Sequence, residues 1–231
     1  MNTSDAIGRV AEALAAMGLE DVVFVGGAVV GLLLTDPAAP APRATDDVDV
    51  VLGETSRVAY HRLEERLRDA GYSQPMEGPI CRWHIDGVNV DLMPINADVL
   101  GFTNRWYGAM MGLAVAMDLT DGRRARIVSA PYLVATKLDA FADRGAGDVL
   151  YSRDLGDIIA LVDGREELVD EVCSTEVAAR TFIANAFRAL LDDPSFREAI
   201  PAHLQPDVAS QARAPLIQER MRRIADMSLA G

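Results

Sequence analysis

The stretch from Arg43 to Gly53, RATDDVDVVLG, constrains the fold of this chain more than any other. Val48, Val50 and Leu52 alternate with Asp47, Asp49 and Val51, a period of two that predicts a β-strand with two unlike faces. Asp47 and Asp49 then share one face. Two carboxylates at that spacing on a pleated strand repel each other unless something positive stands between them. The same charges would also suit a solvated edge strand. The rest of the sequence decides which reading to follow.

Half of the 231 residues are hydrophobic, enough for a sizeable core in one large domain or two small ones. No apolar run approaches the ~20 residues needed to cross a bilayer. The first residues carry Asp and Glu where a signal peptide would be basic, so a cytoplasmic protein is expected, with no membrane partner. Cys81 and Cys173 lie far apart without neighbouring His or Cys, which argues against a disulfide framework or a zinc site and for two ordinary small buried residues. A net charge of −13 argues against nonspecific coating of nucleic acid, although a local basic groove remains open. Lys137 is the sole lysine; every other basic side chain except histidine is Arg.

Helix and strand patterns alternate in the first half. Ser4 to Met17 has apolar residues at helical spacing with Ser4 as N-cap, and DVVFVGG follows as a strand that ends on Gly26–Gly27. AVVGLLLTD is helical, and PAAPAPR forces an irregular linker before the acidic strand. A helix over Ser56 to Ala70 presents Val58, Leu63 and Leu67. PICRWHID and VNVDLMPI pair as strands around Asp86–Gly87, and a second hairpin turns at Asp121–Gly122. From Pro131 onward the patterns are helical, the last covering VASQARAPLIQERMRRIADM. The expected architecture is α+β: a mixed sheet flanked by helices over residues 1–128, then an all-helical lobe over 129–231.

Three features of the first lobe belong together. Gly26–Gly27 sits at a strand-to-helix junction, which serves either as plain turn chemistry or as a close backbone approach to phosphate. Asp47 and Asp49 share a strand face. Asp91, in VNVDLMP, interrupts an apolar strand. If the two strands are neighbours, three carboxylates converge, and Mg²⁺ with a nucleoside triphosphate is a way to hold them ionised.

With FVGGAVV, RATDDVDV, VDLMP, PYLVATKLDAFADR and YSRDLGDI in that order, residues 22 to 160 resemble the nucleotidyltransferases of the DNA polymerase β-like superfamily, and most closely the AbiEii-type toxin family that includes the MenT proteins. The resemblance implies a polymerase β-like core and transfer of a nucleoside monophosphate from a triphosphate, with release of pyrophosphate. It implies that Asp47, Asp49 and Asp91 hold Mg²⁺ (or Mn²⁺), with Asp91 also activating the acceptor hydroxyl. Gly26 and Gly27 would seat the phosphates, Lys137 would contact the triphosphate, Asp154 would orient the nucleotide or Lys137, and Arg43 and Arg153 would add positive charge. Ala28 stands where many relatives carry Ser or Thr, which removes one phosphate contact. The family's acceptor is commonly the tRNA 3′ end and its partner a restraining antitoxin; Arg105, Arg144 and Arg153 are expected, from charge as well as resemblance, to rim the approach of such an RNA end. A nucleotidyltransferase acting on an antibiotic or metabolite, and a nucleotide-binding protein without turnover, are the competing functions. Asp157 is read as structural. His61, His84 and His203 are assigned to surface or packing, and Trp83 and Trp106 to the core or a cleft wall.

Overall fold

The computed structural model describes residues 3–53, 56–120, 122–144 and 148–227, and its chain divides into two compact units. The first comprises Met1–Val29 and Ala44–Ser129, the second Val30–Arg43 and Ala130–Gly231.

In chain order the elements up to residue 129 are α1 (Thr3–Ala16), β1 (Val22–Val25), α2 (Gly27–Leu33), β2 (Asp47–Leu52), α3 (Arg57–Asp69), β3 (Arg82–Ile85), β4 (Val88–Pro94), α4 (Ala97–Leu100), α5 (Tyr107–Met111), β5 (Val115–Asp118) and β6 (Arg124–Ile127). The six strands form one mixed sheet in the order β3-β4-β2-β1-β6-β5. β2 runs parallel to β4 and β1 parallel to β6, while β1–β2, β3–β4 and β5–β6 are antiparallel. The fold is therefore α+β with a mixed sheet flanked by helices.

Alternation sets the faces. Val48, Val50, Leu52, Trp83, Ile85, Val88, Val90 and Leu92 are all buried. Each such side chain contributes about 1.5–3 kcal/mol by leaving water, so a one-residue slip that turned them outward is prohibitively costly. Helix α1 buries Ile7, Val10 and Leu14, and α3 buries Tyr60, Leu63 and Leu67, with the Tyr60 hydroxyl donating to the Leu92 carbonyl at 2.9 Å. Asp86 and Gly87 both have positive φ, 48° and 75°, as the two-residue turn of type I′ requires. The second hairpin is present as β5 and β6, with Gly122 at φ 82°; Asp121 itself lies outside the described residues.

The second unit contains helices and no strand among its described residues: α6 (Ala130–Asp143), α7 (Arg153–Gly164), α8 (Leu168–Ser174), α9 (Val177–Asp192), α10 (Pro194–Ala199), a 3-10 turn (Ile200–His203), α11 (Val208–Gln211) and α12 (Ala214–Asp226). It also takes in Val30–Arg43, which the sequence reading had placed with the sheet. The reason lies in backbone pairing: Thr35 and Asp36 N–H both donate to the Gly164 carbonyl, at 2.8 and 3.0 Å, and Arg165 donates to the Leu33 carbonyl.

Several expectations need correction. Ser4 lies inside α1 rather than capping it, and its hydroxyl receives the Thr120 N–H and hydroxyl instead. Val58 is 62 % exposed, and Tyr60 takes its place on the buried stripe. The single C-terminal helix is two, because Pro215, lacking an N–H, sits in the first turn of α12. Cys81 is buried but Cys173 is exposed. No helix among the described residues is long and apolar enough to cross a membrane.

Arg213 pins the second unit. Its Nε lies 2.6 Å from Asp163 Oδ1 and its Nη2 2.5 Å from Asp36 Oδ2, with Asp163 only 2 % exposed. The Arg213 hydrogen bond, followed by the Ala38 N–H, holds the Asp36 carboxyl below the usual carboxylate range. A lowered folded-state pKa contributes stability that is present at neutral pH and lost as pH falls through the acid range. Arg213→Met is expected to cost about 3 kcal/mol in urea unfolding at pH 7, because it strands Asp163. Asp36→Asn should destabilise at neutral pH by an amount that shrinks toward zero on acidification.

Candidate functional site

Register brings the acidic residues of the first unit together. Asp49 on β2 lies directly opposite Asp91 on β4, and Asp47, two residues earlier on β2, projects from the same face. The neighbour relation that the sequence left conditional is thus met. Asp91 is buried at 7 % exposure, whereas Asp47 and Asp49 are partly exposed.

The positive charge among them is a side chain that the sequence reading did not single out. Arg82 on β3 is the register partner of Asp91, so Arg82, Asp91 and Asp49 form one row across three strands. The Arg82 fork donates from Nε to Asp91 Oδ1 at 2.7 Å and from Nη2 to Asp91 Oδ2 at 2.8 Å. The same Nη2 donates to Asp47 Oδ2 at 2.7 Å, and Thr45 Oγ1 donates to Asp47 Oδ1 at 2.8 Å. These hydrogen bonds, Asp91 first, raise the Arg82 pKa further and keep the guanidinium charged. Repulsion between Asp47 and Asp91 is therefore largely cancelled within the chain. Beside them, the buried Cys81 thiol is pushed up to about 12, by burial first and the Asp91 charge second, which makes it a packing residue rather than a nucleophile.

Gly26 and Gly27 stand where expected, between β1 and α2. Gly26 has φ +75°, and a Cβ there would fall 1.8 Å from Asp49 Oδ2. Its first requirement is local: only glycine both adopts this backbone conformation and lets the Asp49 carboxylate pass.

Asp47, Asp49 and Asp91 fit a hard divalent cation by donor chemistry, since all six atoms they offer are carboxylate oxygens on one sheet face. As placed, no group of three His, Cys, Asp or Glu among the described residues encloses a metal position. Asp47 and Asp91 are instead turned to Arg82.

The second unit holds a separate charge network. Lys137 on α6 lies 3.1 Å from Asp154 Oδ1 and 2.7 Å from Asp157 Oδ2, both on α7. Arg144 reaches Asp154 Oδ2 at 2.7 Å, and Arg43 reaches Asp157 Oδ1 at 3.1 Å. The Lys137 side chain is only 12 % exposed, so it is not an ordinary solvated helix lysine. Asp157 carries as many cations as Asp154 and belongs to the same site; its spacing one turn beyond Asp154 was the available signal. Arg153 is exposed and outside the network, at the edge of a cavity of about 210 Å³ that Arg43, Tyr151, Asp157 and His203 also line.

No family model matches the chain, and no curated protein matches it.

Lys137→Met should destabilise the protein by about 1–3 kcal/mol, because two carboxylates that are nearly fully buried lose a shared cation while Arg144 and Arg43 remain. Lys137→Arg should recover part of that loss, and thermal unfolding of the two variants at pH 7 checks both. Gly26→Ala, measured in the same way, should cost at least about 1–2 kcal/mol from the left-handed backbone alone.

Proposed function

We propose that the chain is a metal-dependent nucleotidyltransferase with a polymerase β-like core, moving a nucleoside monophosphate from a triphosphate to an acceptor hydroxyl, with the tRNA 3′ end as that acceptor. The observation that carries the reading is the pairing of Asp49 with Asp91 in register on adjacent parallel strands, with Asp47 on the same face and a glycine turn against Asp49. The sequence resemblance supports it independently, since the same residues and the Lys137 and Asp154 helices occur in the family's order.

On this reading Asp47, Asp49 and Asp91 would hold Mg²⁺ (or Mn²⁺). Bound there, the ion would neutralise triphosphate charge and ease ionisation of the acceptor hydroxyl. Asp91 accepts the hydroxyl proton as the acceptor oxygen bonds to the α-phosphorus. The bond from that phosphorus to the bridging oxygen breaks, and pyrophosphate leaves with the electron pair. Gly26 and Gly27 offer backbone N–H groups to the phosphates, as the first turn of a helix leaves N–H groups without intrahelical partners. The resemblance would give Lys137 the role of stabilising charge on the departing pyrophosphate; within the second unit Asp154 and Asp157 hold its ammonium in place. Arg43 and Arg153 add cationic character to the second unit. A restraining antitoxin is the partner that the family resemblance implies.

The test is incubation of the purified protein with each labelled nucleoside triphosphate, Mg²⁺ and total RNA, followed by a denaturing gel. Label should enter a tRNA-sized band, and Asp49→Asn should lower the rate by at least about 100-fold. Label found only on a small-molecule acceptor would transfer the proposal to the antibiotic or metabolite class. No labelled product with any nucleotide would leave the non-catalytic reading.

A further inference from the structure

We infer that Arg82 is the resident counter-cation of the acidic sheet face: it positions Asp47 and Asp91, and it must yield them when a divalent cation binds. The inference rests on the reading that Asp47, Asp49 and Asp91 hold such an ion. It adds a residue that the reading does not contain, and it makes metal binding an exchange rather than an addition.

The geometry supports an exchange. Both oxygens of Asp91 and one of Asp47 are engaged by a single guanidinium, with one nitrogen shared between the two carboxylates. Those oxygens are the donors a divalent ion would need. An ion coordinated by them would stand within a few ångströms of a fixed positive charge, in a part-buried setting where such repulsion is poorly screened. Arg82 cannot relieve the conflict by losing its proton, because a guanidinium stays protonated in proteins. It has to move. Its side chain is 23 % exposed, so a route to water exists, whereas that of Asp91 is 10 % exposed and needs a cation in either state. A purely structural ion pair would behave differently: removing Arg82 would weaken the fold and leave metal affinity unchanged.

The experiment compares full-length wild type, Arg82→Gln and Arg82→Lys, each stripped with chelator and then dialysed, by Mn²⁺ titration calorimetry and by thermal unfolding with and without Mn²⁺. Arg82→Gln should unfold at a lower temperature without metal, bind Mn²⁺ about tenfold more tightly, and gain more thermal stability from Mn²⁺ than wild type does. Arg82→Lys, which keeps the charge but not the fork, should fall between the two and carries the comparison if the Gln variant does not fold. Equal or weaker Mn²⁺ binding by the variants, alongside measurable binding by wild type, would overturn the exchange while leaving the metal reading intact. If neither wild type nor variants bind Mn²⁺, and Asp49→Asn behaves the same, the metal reading itself fails and the exchange with it.

Discussion

A cation held between two carboxylates is the interaction on which both units depend. In the sheet, apolar alternation forces Asp47, Asp49 and Asp91 onto one face, because the opposite face is closed by buried Val, Leu, Ile and Trp side chains. Hydrophobic burial thus creates an electrostatic problem, and Arg82 answers it from the neighbouring strand. The same arrangement recurs among the helices, where Lys137 bridges Asp154 and Asp157 and Arg213 bridges Asp36 and Asp163. In each case a fixed cation is shared by two acids, joined in the Lys137 cluster by Arg144 and Arg43, and loss of a buried cation costs more than the pair itself contributes.

This economy of charge also sets where an acidic protein concentrates its cations. The net charge of −13 speaks against broad attraction to phosphate. What the chain offers instead is local: carboxylates gathered on one sheet face around the Arg82 guanidinium, and a compact cluster of Arg43, Lys137 and Arg144 in which cations outnumber the two acids they share.

Much of this was legible in the sequence. Period-two alternation identified β2 and β4, and the Asp86–Gly87 pair located a turn whose two positive φ values match its composition. The role of Arg82 could have been counted from that turn: it lies three residues before Ile85 and Asp91 three after Val88, the closing pair of a two-residue hairpin. Other features were beyond local pattern. Nothing near Ser4 announces Thr120, which takes up its hydroxyl, and nothing near Thr35 announces the Gly164 carbonyl that draws this segment into the helical unit. Helices as short as α4 and α5 carry too little periodicity to be read, although Asp193–Pro194 was a usable start signal for α10. Val58 and Tyr60 show a further limit, since both suit an apolar stripe and only packing chose between them.

The hairpin at Asp86–Gly87 acts as a ruler for the chemistry beside it. Because strand positions alternate, gaining or losing a single residue between Arg82 and the turn would carry the guanidinium to the face now filled by Trp83 and bring an apolar side chain against Asp91. Length in this short segment is therefore held more tightly than composition. Natural variation among chains of this kind should tolerate many side chains at exposed His84, yet almost no change in the number of residues separating Arg82 from Asp91.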